Sequence, residues 1–332
     1  MMRIAVSRRI FAELIGQLSS RYTVLDNQVD ASLSPQELAE RLRDCDGALI
    51  TGGDRIDAGL LHACPRLKVV SNIAVGFNNI DVAACTAAGV AATNTPDVLN
   101  EATADHAWAL LLAAARRVVE GDRFVRAGSW ERWEFELLMG ADLHGSTLGI
   151  IGMGRIGRAI ARRARGFSMR VLYHNRTRLP QGQEEGAEWA ERDLVLREAD
   201  HLILVVPYSA ATHHLIGAAE LALMKRSAVL VNIARGGVVD DSALIDALGN
   251  GRLAAAGLDV FENEPQLNPG FLPLKNVVLT PHIASSTRAT RTAMAQLAID
   301  NLDAVLAGRR PAALLNPPVW ETDARATRLA LR

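Results

Sequence analysis

Short apolar runs alternate with longer stretches of helical periodicity along the whole chain. Aliphatic and β-branched runs in the first hundred residues predict four strands, at 3–7, 47–51, 67–71 and 90–93. Between the first two, Ser34, Pro35 and Glu37 form a capping-box sequence that predicts the start of a helix. Strands that alternate with helices in this way predict an α/β fold with parallel sheets covered by helices on both faces.

The same alternation resumes after the middle of the chain. From Thr147 onward six further strands are predicted, at 147–152, 169–175, 201–206, 228–233, 254–260 and 276–280. Six strands with a helix in each connection match the size of one doubly wound dinucleotide-binding domain. A last long helix is predicted from about Ser286 to Leu306, and the segment from Asn316 is expected to be an extended surface tail.

Two segments between these regions have different patterns. The stretch from Glu101 to about Arg126 is apolar around most of its circumference, which predicts one buried helix. The following residues interrupt the alternation and carry Trp130 and Trp133 close together. Interface contacts and core packing are equally good explanations of these two indoles.

The composition narrows the class of protein. A length of 332 residues predicts about two domains, while a formal net charge of -1 and 5% aromatic residues disfavour a nucleic-acid partner. Three widely spaced cysteines without a CxxC motif predict neither disulfides nor structural zinc, and indicate a reducing, cytoplasmic location. No apolar window reaches about 18 residues, so no membrane span is expected, and the charged N-terminus does not resemble a signal peptide.

A glycine-rich loop follows the first predicted strand of the second half. Gly152, Gly154 and Gly157 form a G-x-G-x-x-G motif between the apolar run TLGII and the helical pattern RAIARRARG. In this context the glycines allow a tight turn, a close approach of the backbone to a pyrophosphate, and close packing of helix on strand. The sequence therefore predicts a dinucleotide site.

The end of the next strand indicates which dinucleotide binds. NAD sites usually carry an acidic residue there that binds the ribose hydroxyls, whereas this chain has Asn175, Arg176, Thr177 and Arg178. Guanidinium groups form charge-assisted hydrogen bonds with a 2′-phosphate. We therefore predict NADPH in preference to NADH, with NADH as the alternative.

Three polar residues follow strands of the predicted dinucleotide-binding domain. Arg235 follows AVLVNIA, Glu264 follows GLDVFEN, and His282 follows NVVLTP. Ligands of open parallel sheets bind at the carboxyl ends of the strands. Because a guanidinium matches a carboxylate, and a histidine beside a carboxylate can exchange a proton near neutral pH, these residues predict a catalytic site.

Six long motifs carry a resemblance to a known family. They are NIAVGFNNIDVAACTAAGV, NTPDVLNEATADHAWALLLAAARR, TLGIIGMGRIGRAIARRA, VNIARGGVVDDSALIDAL, AAAGLDVFENEP and NVVLTPHIASST. Together they span roughly residues 67–305 and resemble the D-isomer-specific 2-hydroxyacid dehydrogenases, and within them the glyoxylate/hydroxypyruvate reductases. The resemblance implies hydride transfer from NADPH to small 2-keto acids such as glyoxylate and hydroxypyruvate. The 2-ketogluconate reductases and other D-2-hydroxyacid dehydrogenases remain candidates.

The resemblance also implies roles for single residues. Arg235 looks like the group that binds the substrate carboxylate and keto oxygen, His282 like the proton donor, and Glu264 like the carboxylate partner of His282. Val75 and Gly76 resemble a loop whose backbone N–H groups hold the substrate carboxylate. The implied cofactor contacts are Gly152, Gly154, Arg155, Ile156, Gly157, Asn175, Arg176, Thr177, Pro207, Thr212, Ile233, Ala234, Asp259 and Ser285.

The architecture implied by the resemblance consists of two Rossmann-like doubly wound domains. An NAD(P)-binding domain, 101–286, would be inserted into a flavodoxin-like substrate domain formed by 1–100 and 287–320, with a tail at 321–332.

The resemblance further implies a homodimer formed through the segment 121–145, with Trp130 and Trp133 as interface anchors. No metal is expected, because the adjacent His213 and His214 have no acidic residue nearby at ligand spacing. The alternative from another functional class is a dinucleotide-sensing binding protein of the corepressor type.

Overall fold

The structure, a computed structural model, describes residues 1–330 and divides into two compact units. Unit 1 comprises Met1–Leu99 and the chain from Thr287 onward, and unit 2 comprises Asn100–Ser286. The strands are β1 (Arg3–Val6), β2 (Thr23–Leu25), β3 (Gly47–Ile50), β4 (Val69–Asn72), β5 (Ala91–Thr93), β6 (Thr147–Ile151), β7 (Arg170–His174), β8 (Glu188–Trp189), β9 (His201–Leu204), β10 (Val229–Asn232), β11 (Ala255–Leu258) and β12 (Val277–Leu279). The α-helices are α1 (Ala12–Ser19), α2 (Pro35–Leu42), α3 (Ala58–Ala63), α4 (Val82–Ala87), α5 (Asn100–Ala115), α6 (Val118–Arg126), α7 (Arg155–Ala164), α8 (Arg192–Glu198), α9 (Ala218–Leu223), α10 (Asp241–Gly249), α11 (Arg288–Leu306) and α12 (Asp323–Ala330).

Unit 1 is built on a five-stranded parallel sheet in the order β2-β1-β3-β4-β5. This is the flavodoxin-like strand order, as the resemblance implies. Helix α2 begins as predicted, because Ser34 Oγ accepts a hydrogen bond from Glu37 N and Ser34 N donates to Glu37 Oε2. Helix α11 follows unit 2 in the sequence but belongs to unit 1, where it packs against β3, β4 and β5.

Unit 2 is built on seven parallel strands in the order β12-β11-β10-β9-β6-β7-β8. The first strand of this unit, β6, lies inside the sheet. Strands β7 and β8 are added on one side of it, and the chain then crosses to β9 on the other side. This reversal creates a crevice at the carboxyl ends of β6 and β9, which is where Rossmann sheets bind dinucleotides. The predicted α/β class is therefore confirmed for both units.

The prediction of one buried helix from Glu101 to Arg126 is wrong. Helix α5 ends at Ala115, Arg117 adopts a left-handed backbone conformation with φ 54°, and helix α6 follows. Helix α5 buries half of its residues, whereas α6 has no buried residue. The break is fixed by a tertiary contact, since Ala115 O accepts from Ala141 N at 2.9 Å. Within the start of α6, Arg117 and Glu120 also form a local ion pair at 2.8 Å.

The expectation of an extended surface tail from Asn316 is also wrong for residues up to 330. Residues Pro317–Glu321 form a 3-10 helix and α12 follows, while residues 331 and 332 of the predicted tail lie outside the described residues. Asn316 and Val319 are buried. The Arg328 guanidinium donates to backbone carbonyls around the end of α3, so this segment is part of unit 1.

The two tryptophans of the segment 121–145 are exposed. Their exposed fractions are 56% for Trp130 and 75% for Trp133, and Phe135 and Met139 beside them are exposed as well. Core packing within the chain is therefore excluded as their role. No helix among residues 1–330 combines the length and the apolar character that a bilayer crossing needs.

Candidate active site

The glycine-rich loop connects β6 to helix α7 at the crevice of unit 2. A Cβ atom on Gly157 would lie 2.4 Å from Gly152 O, so the helix approaches the loop as closely as only glycine allows. Gly154 is the N-cap of α7, is exposed, and would have no atom within 4 Å of an added Cβ. The N-cap of this helix has no side-chain cap hydrogen bond, so the first helical turn presents backbone N–H groups at a site that fits a pyrophosphate.

Asn175 connects the end of β7 to this loop. Its Oδ1 accepts a hydrogen bond from Met153 N at 2.7 Å, and its carbonyl accepts from Trp189 Nε1 at 3.2 Å. An amide thus lies where an NAD site usually has a carboxylate. Arg176 and Thr177 follow and are exposed.

Arg178 is already paired within its own loop. Its guanidinium donates to Glu184 Oε1 at 2.9 Å, and the Tyr173 hydroxyl donates to the same oxygen at 2.9 Å. The hydrogen bond from Arg178 lowers the pKa of Glu184 most, and that from Tyr173 lowers it further, so this carboxylate stays ionised. Arg176 has no ion-pair partner among residues 1–330, so it is the cation of this loop that remains available to a phosphate.

The loop after β9 contains Pro207 and Thr212, which bind each other. Thr212 Oγ1 donates to Pro207 O at 2.8 Å and accepts from Ser209 N at 2.8 Å. The following His213 and His214 stack on each other, and His214 Nε2 lies 2.5 Å from Glu262 Oε1. In the described part of the chain, no group of three or more His, Cys, Asp or Glu side chains is arranged to hold a metal ion.

His282 and Glu264 form a hydrogen-bonded pair in the loops that follow two neighbouring strands, β12 and β11. His282 Nδ1 lies 2.8 Å from Glu264 Oε2, and the other oxygen, Oε1, accepts from Phe261 N at 2.8 Å. Burial alone would raise the pKa of Glu264, but the bonds from His282 and Phe261 and the charge of Arg235 outweigh it, so the pKa is lowered. Glu264 is therefore ionised at neutral pH and orients the imidazole.

A cleft of about 240 Å³ opens beside this pair. Its lining is mostly apolar and consists of Phe261, Glu264, Pro265, Leu267, Leu279, Thr280, Pro281 and His282. The cleft is large enough for a small organic acid, and the His282 side chain at its edge is exposed.

Arg235 follows β10 and is half-buried. Burial lowers the pKa of its guanidinium and the charge of Glu264 raises it, yet arginine stays protonated at any working pH. Its Nη1 donates to Ala234 O at 2.8 Å. Ile233 and Ala234 just before it are buried, and Ala234 N donates to Asn232 Oδ1 at 3.0 Å.

Asp259 follows β11 and organises the loop that carries His282. Its buried carboxylate accepts from Ile283 N and Ala284 N, both at 2.8 Å, and from Thr280 Oγ1 at 2.7 Å. His282 N also donates to Asp259 O at 2.9 Å. These bonds fix the loop from Thr280 to Ala284, directly before Ser285. The expected contacts of Asp259 and Ser285 with the cofactor stay predictions.

Two residues of this network escape sequence reasoning. His106 on α5 lies with Nε2 3.1 Å from Thr280 Oγ1 and 3.4 Å from Asp259 Oδ1. A histidine in an otherwise apolar helical pattern was the available signal for His106. Thr280 carried no such signal, because threonine is ordinary at the end of a strand.

The candidate substrate loop lies in the other unit. Val75 and Gly76 follow β4 in unit 1 and are half-buried. Arg235, Glu264, His282 and all fourteen candidate cofactor contacts lie in unit 2, each in a loop that follows one of its strands or at the start of α7.

Comparison with known proteins decides the family. The model of the D-isomer specific 2-hydroxyacid dehydrogenase NAD-binding domain matches residues 108–284, more than half of the chain. The chain belongs to this family. The D-2-hydroxyacid dehydrogenase is accordingly an NAD(P)-dependent oxidoreductase that acts on CH–OH groups and binds a nicotinamide dinucleotide.

The similarity to known proteins extends over nearly the whole chain of this dehydrogenase. A glyoxylate reductase of Thermococcus onnurineus (strain NA1) is 48% identical over 322 residues, covering 96% of each chain. The crystal structure of a glyoxylate reductase from Paecilomyes thermophila has a TM-score of 0.85 and 36% identity, covering 95% of this chain and 98% of that one. An NADPH-dependent glyoxylate/hydroxypyruvate reductase from Sinorhizobium meliloti, solved with NADP and malonate, has a TM-score of 0.85 and 35% identity, covering 96% and 97%.

Proposed function

We propose that this dehydrogenase reduces small 2-keto acids, glyoxylate and hydroxypyruvate first among them, with a preference for NADPH. The observation that carries the proposal is the His282–Glu264 pair at 2.8 Å, in the same unit as the glycine-rich loop and Arg235. The names of the relatives, glyoxylate reductase and NADPH-dependent glyoxylate/hydroxypyruvate reductase, agree with this assignment.

The substrate is bound through its carboxylate. The planar guanidinium of Arg235 matches a carboxylate with two parallel hydrogen bonds and stays charged throughout the reaction. The same positive charge stabilises the negative charge that develops on the keto oxygen during hydride transfer. The backbone N–H groups of Val75 and Gly76 are the further proposed donors to the carboxylate.

His282 supplies the proton. A bound nicotinamide supplies the hydride that reaches the keto carbon, and the keto oxygen must then gain a proton to become a hydroxyl. Because Glu264 engages Nδ1 of His282, Nε2 is the nitrogen left to give that proton. Proton transfer of this kind contributes roughly 10²–10⁴-fold in rate.

The cofactor preference rests on the loop after β7. Asn175 has no charge to repel a 2′-phosphate and is engaged with the glycine-rich loop, while Arg176 is exposed and unpaired among residues 1–330. A 2′-phosphate would form charge-assisted hydrogen bonds with Arg176. NADH lacks that phosphate and gains nothing from this contact.

Assembly and location are proposed on separate observations. The rings of Trp133 and Phe135 pack edge to face on the segment 121–145, and Trp130 in the same segment is exposed as well; we propose this segment as the contact of a homodimer. All three cysteines are buried and unpaired, which agrees with a cytoplasmic location.

A kinetic panel tests the proposed function. The purified enzyme is assayed with glyoxylate, hydroxypyruvate, pyruvate and 2-ketogluconate, each with NADPH and with NADH, by following the loss of nicotinamide absorbance. We expect the highest kcat/KM for glyoxylate or hydroxypyruvate with NADPH. A higher value for 2-ketogluconate would reassign the substrate, and no turnover with any 2-keto acid would favour the dinucleotide-sensing alternative.

A further inference from the structure

The loop after β4 in unit 1 is held by three successive backbone carbonyls. The hydrogen bonds run from Thr95 N to Ala74 O (3.0 Å), from Asn94 Nδ2 to Val75 O (2.8 Å) and from Asn72 Nδ2 to Gly76 O (2.9 Å). Both asparagines are buried, Asn72 completely. Two of the three bonds therefore depend on side-chain amides that lie beneath the loop.

The direction of these carbonyls determines where the N–H groups point. In a trans peptide, the carbonyl oxygen and the N–H of the next residue face opposite ways. The N–H groups of Val75, Gly76 and Phe77 are thus turned away from the groups that bind the carbonyls. None of these three N–H groups has an acceptor within residues 1–330, and adjacent free N–H groups are a common anion-binding arrangement.

The amide of Asn72 is itself oriented by a second asparagine. Asn79 Nδ2 donates to the carbonyls of Thr51 and Asp54 at 3.1 and 2.9 Å, which leaves Asn79 Oδ1 facing Asn72 Nδ2 at 3.4 Å. An aspartate at position 72 or 94 could not donate to a carbonyl, and its charge would repel an anion. The neutral amide suits this position for both reasons.

We propose that Asn94 and Asn72 are positioning residues for the substrate, because they hold the loop carbonyls so that the N–H groups of residues 75–77 are available to the keto-acid carboxylate. This inference rests on the proposed function. Neither asparagine touches the reacting atoms. Their loss is therefore expected to weaken substrate binding and to leave the chemical step and the dinucleotide site largely unchanged.

The test uses the full-length enzyme with Asn94→Ala and, as the isosteric variant, Asn94→Asp. We expect KM for glyoxylate to rise about tenfold or more, the range for losing a hydrogen bond to a charged group, while kcat changes less than about threefold. Calorimetric titration of the NADPH complex with oxamate, an unreactive analogue of a 2-keto acid, is expected to show the same loss of affinity. The Kd for NADPH should not change.

Asn316→Ala is the matched control. Asn316 is another buried asparagine of unit 1, bound to Ala92 N and Val90 O, both at 2.9 Å, and it has no contact with the loop. Its loss should lower the melting temperature about as much as Asn94→Ala does, with KM unchanged. Equal oxamate affinity in the wild type and Asn94→Ala, or no oxamate binding to either, would overturn the positioning role. Absence of turnover by the wild type would instead contradict the proposed function.

Discussion

The backbone of Gly236 lies against the carbonyl oxygen of Phe261, so closely that a Cβ atom on Gly236 would be 1.6 Å from that oxygen. Gly236 directly follows Arg235, and Phe261 N donates to the carboxylate of Glu264. One backbone contact thus fixes the spacing between the segment that carries Arg235 and the carboxylate that binds His282.

Gly236→Ala is expected to displace the backbone at Gly236 or at Phe261. We expect kcat/KM to fall about 100-fold, the effect of misplacing catalytic groups by about 1 Å. Gly166→Ala is the control, because an added Cβ at Gly166 meets nothing within 4 Å. Steady-state kinetics and melting temperatures of both variants separate loss of geometry from loss of fold. A Gly236→Ala enzyme with wild-type kinetics would contradict this reading of the contact.

His282→Ala is expected to lower kcat by about 10²–10⁴-fold, the usual contribution of a positioned proton donor. The Kd for NADPH, measured by fluorescence titration, should stay the same. Glu264→Gln should lower kcat less, because the amide oxygen can still bind His282 Nδ1 and orient the ring. Glu262→Gln is the control, since that carboxylate binds His214 instead. An active His282→Ala variant would remove the proposed proton donor.

Arg176→Ala is expected to weaken NADPH binding about tenfold, because a charged hydrogen bond is lost, and to leave NADH binding unchanged within about twofold. Glu184→Gln should act in the opposite direction. Its amide still accepts from Tyr173 but releases Arg178, which should tighten NADPH about two- to fivefold, the range of an exposed ion pair.

Glu188→Gln is the control for this pair of variants, because Glu188 binds Arg170 on the neighbouring strand. The Kd values for both dinucleotides are the measurement. If Arg176→Ala weakened NADPH and NADH equally, the 2′-phosphate assignment would be wrong.

Burial raises the pKa of Asp241 to about 6, although Asp241 accepts a hydrogen bond from Glu262 N at 3.1 Å. An acid with a raised pKa in the folded state binds more protons than in the unfolded state, so its ionisation lowers stability as pH rises from about 4 to about 6. Asp241→Asn should remove this effect and raise the melting temperature by about 2–4 °C above neutral pH. The two proteins should melt alike near pH 4.

Asp240→Asn is the control for Asp241, because Asp240 caps α10 by accepting from Ala243 N and asparagine caps equally well. Thermal unfolding followed by circular dichroism across this pH range is the measurement. A melting temperature of Asp241→Asn that follows the wild-type pH dependence would show that folding does not raise the pKa of Asp241.

Trp133→Arg is expected to convert a dimer to a monomer, because a charge in an apolar contact is costly to desolvate. Light scattering after gel filtration gives the particle mass. Leu272→Arg is the control, since Leu272 is exposed but lies outside the segment 121–145. An unchanged mass of the Trp133→Arg particle would place the dimer contact elsewhere.

The chemistry-bearing residues were readable from the sequence because each follows an apolar strand. Gly152, Arg235 and His282 are local signals: a loop motif or a polar residue at the end of a β-branched run. Strands β2 and β8 were missed because three and two residues are too short to show periodicity.

Features fixed by contacts distant in sequence could not be read in this way. The break after α5 depends on Gly140 and Ala141 against Ala115, about 25 residues earlier. Asn94 becomes informative only when β4 and β5 are paired, because pairing brings its amide to Val75 O. The final helix was hidden because an isolated stretch of charged and alanine residues also suits an exposed tail.

The interrupted order of unit 1 has a consequence for biosynthesis. A ribosome completes β1 to β5 and then all of unit 2 before it makes Arg288–Leu306, the helix that packs against β3, β4 and β5. Until then one face of the nascent first sheet lacks its apolar cover, while the later, contiguous unit can already close. Premature termination near residue 286 would therefore release a polypeptide with one finished and one unfinished half, a substrate for chaperones and proteases.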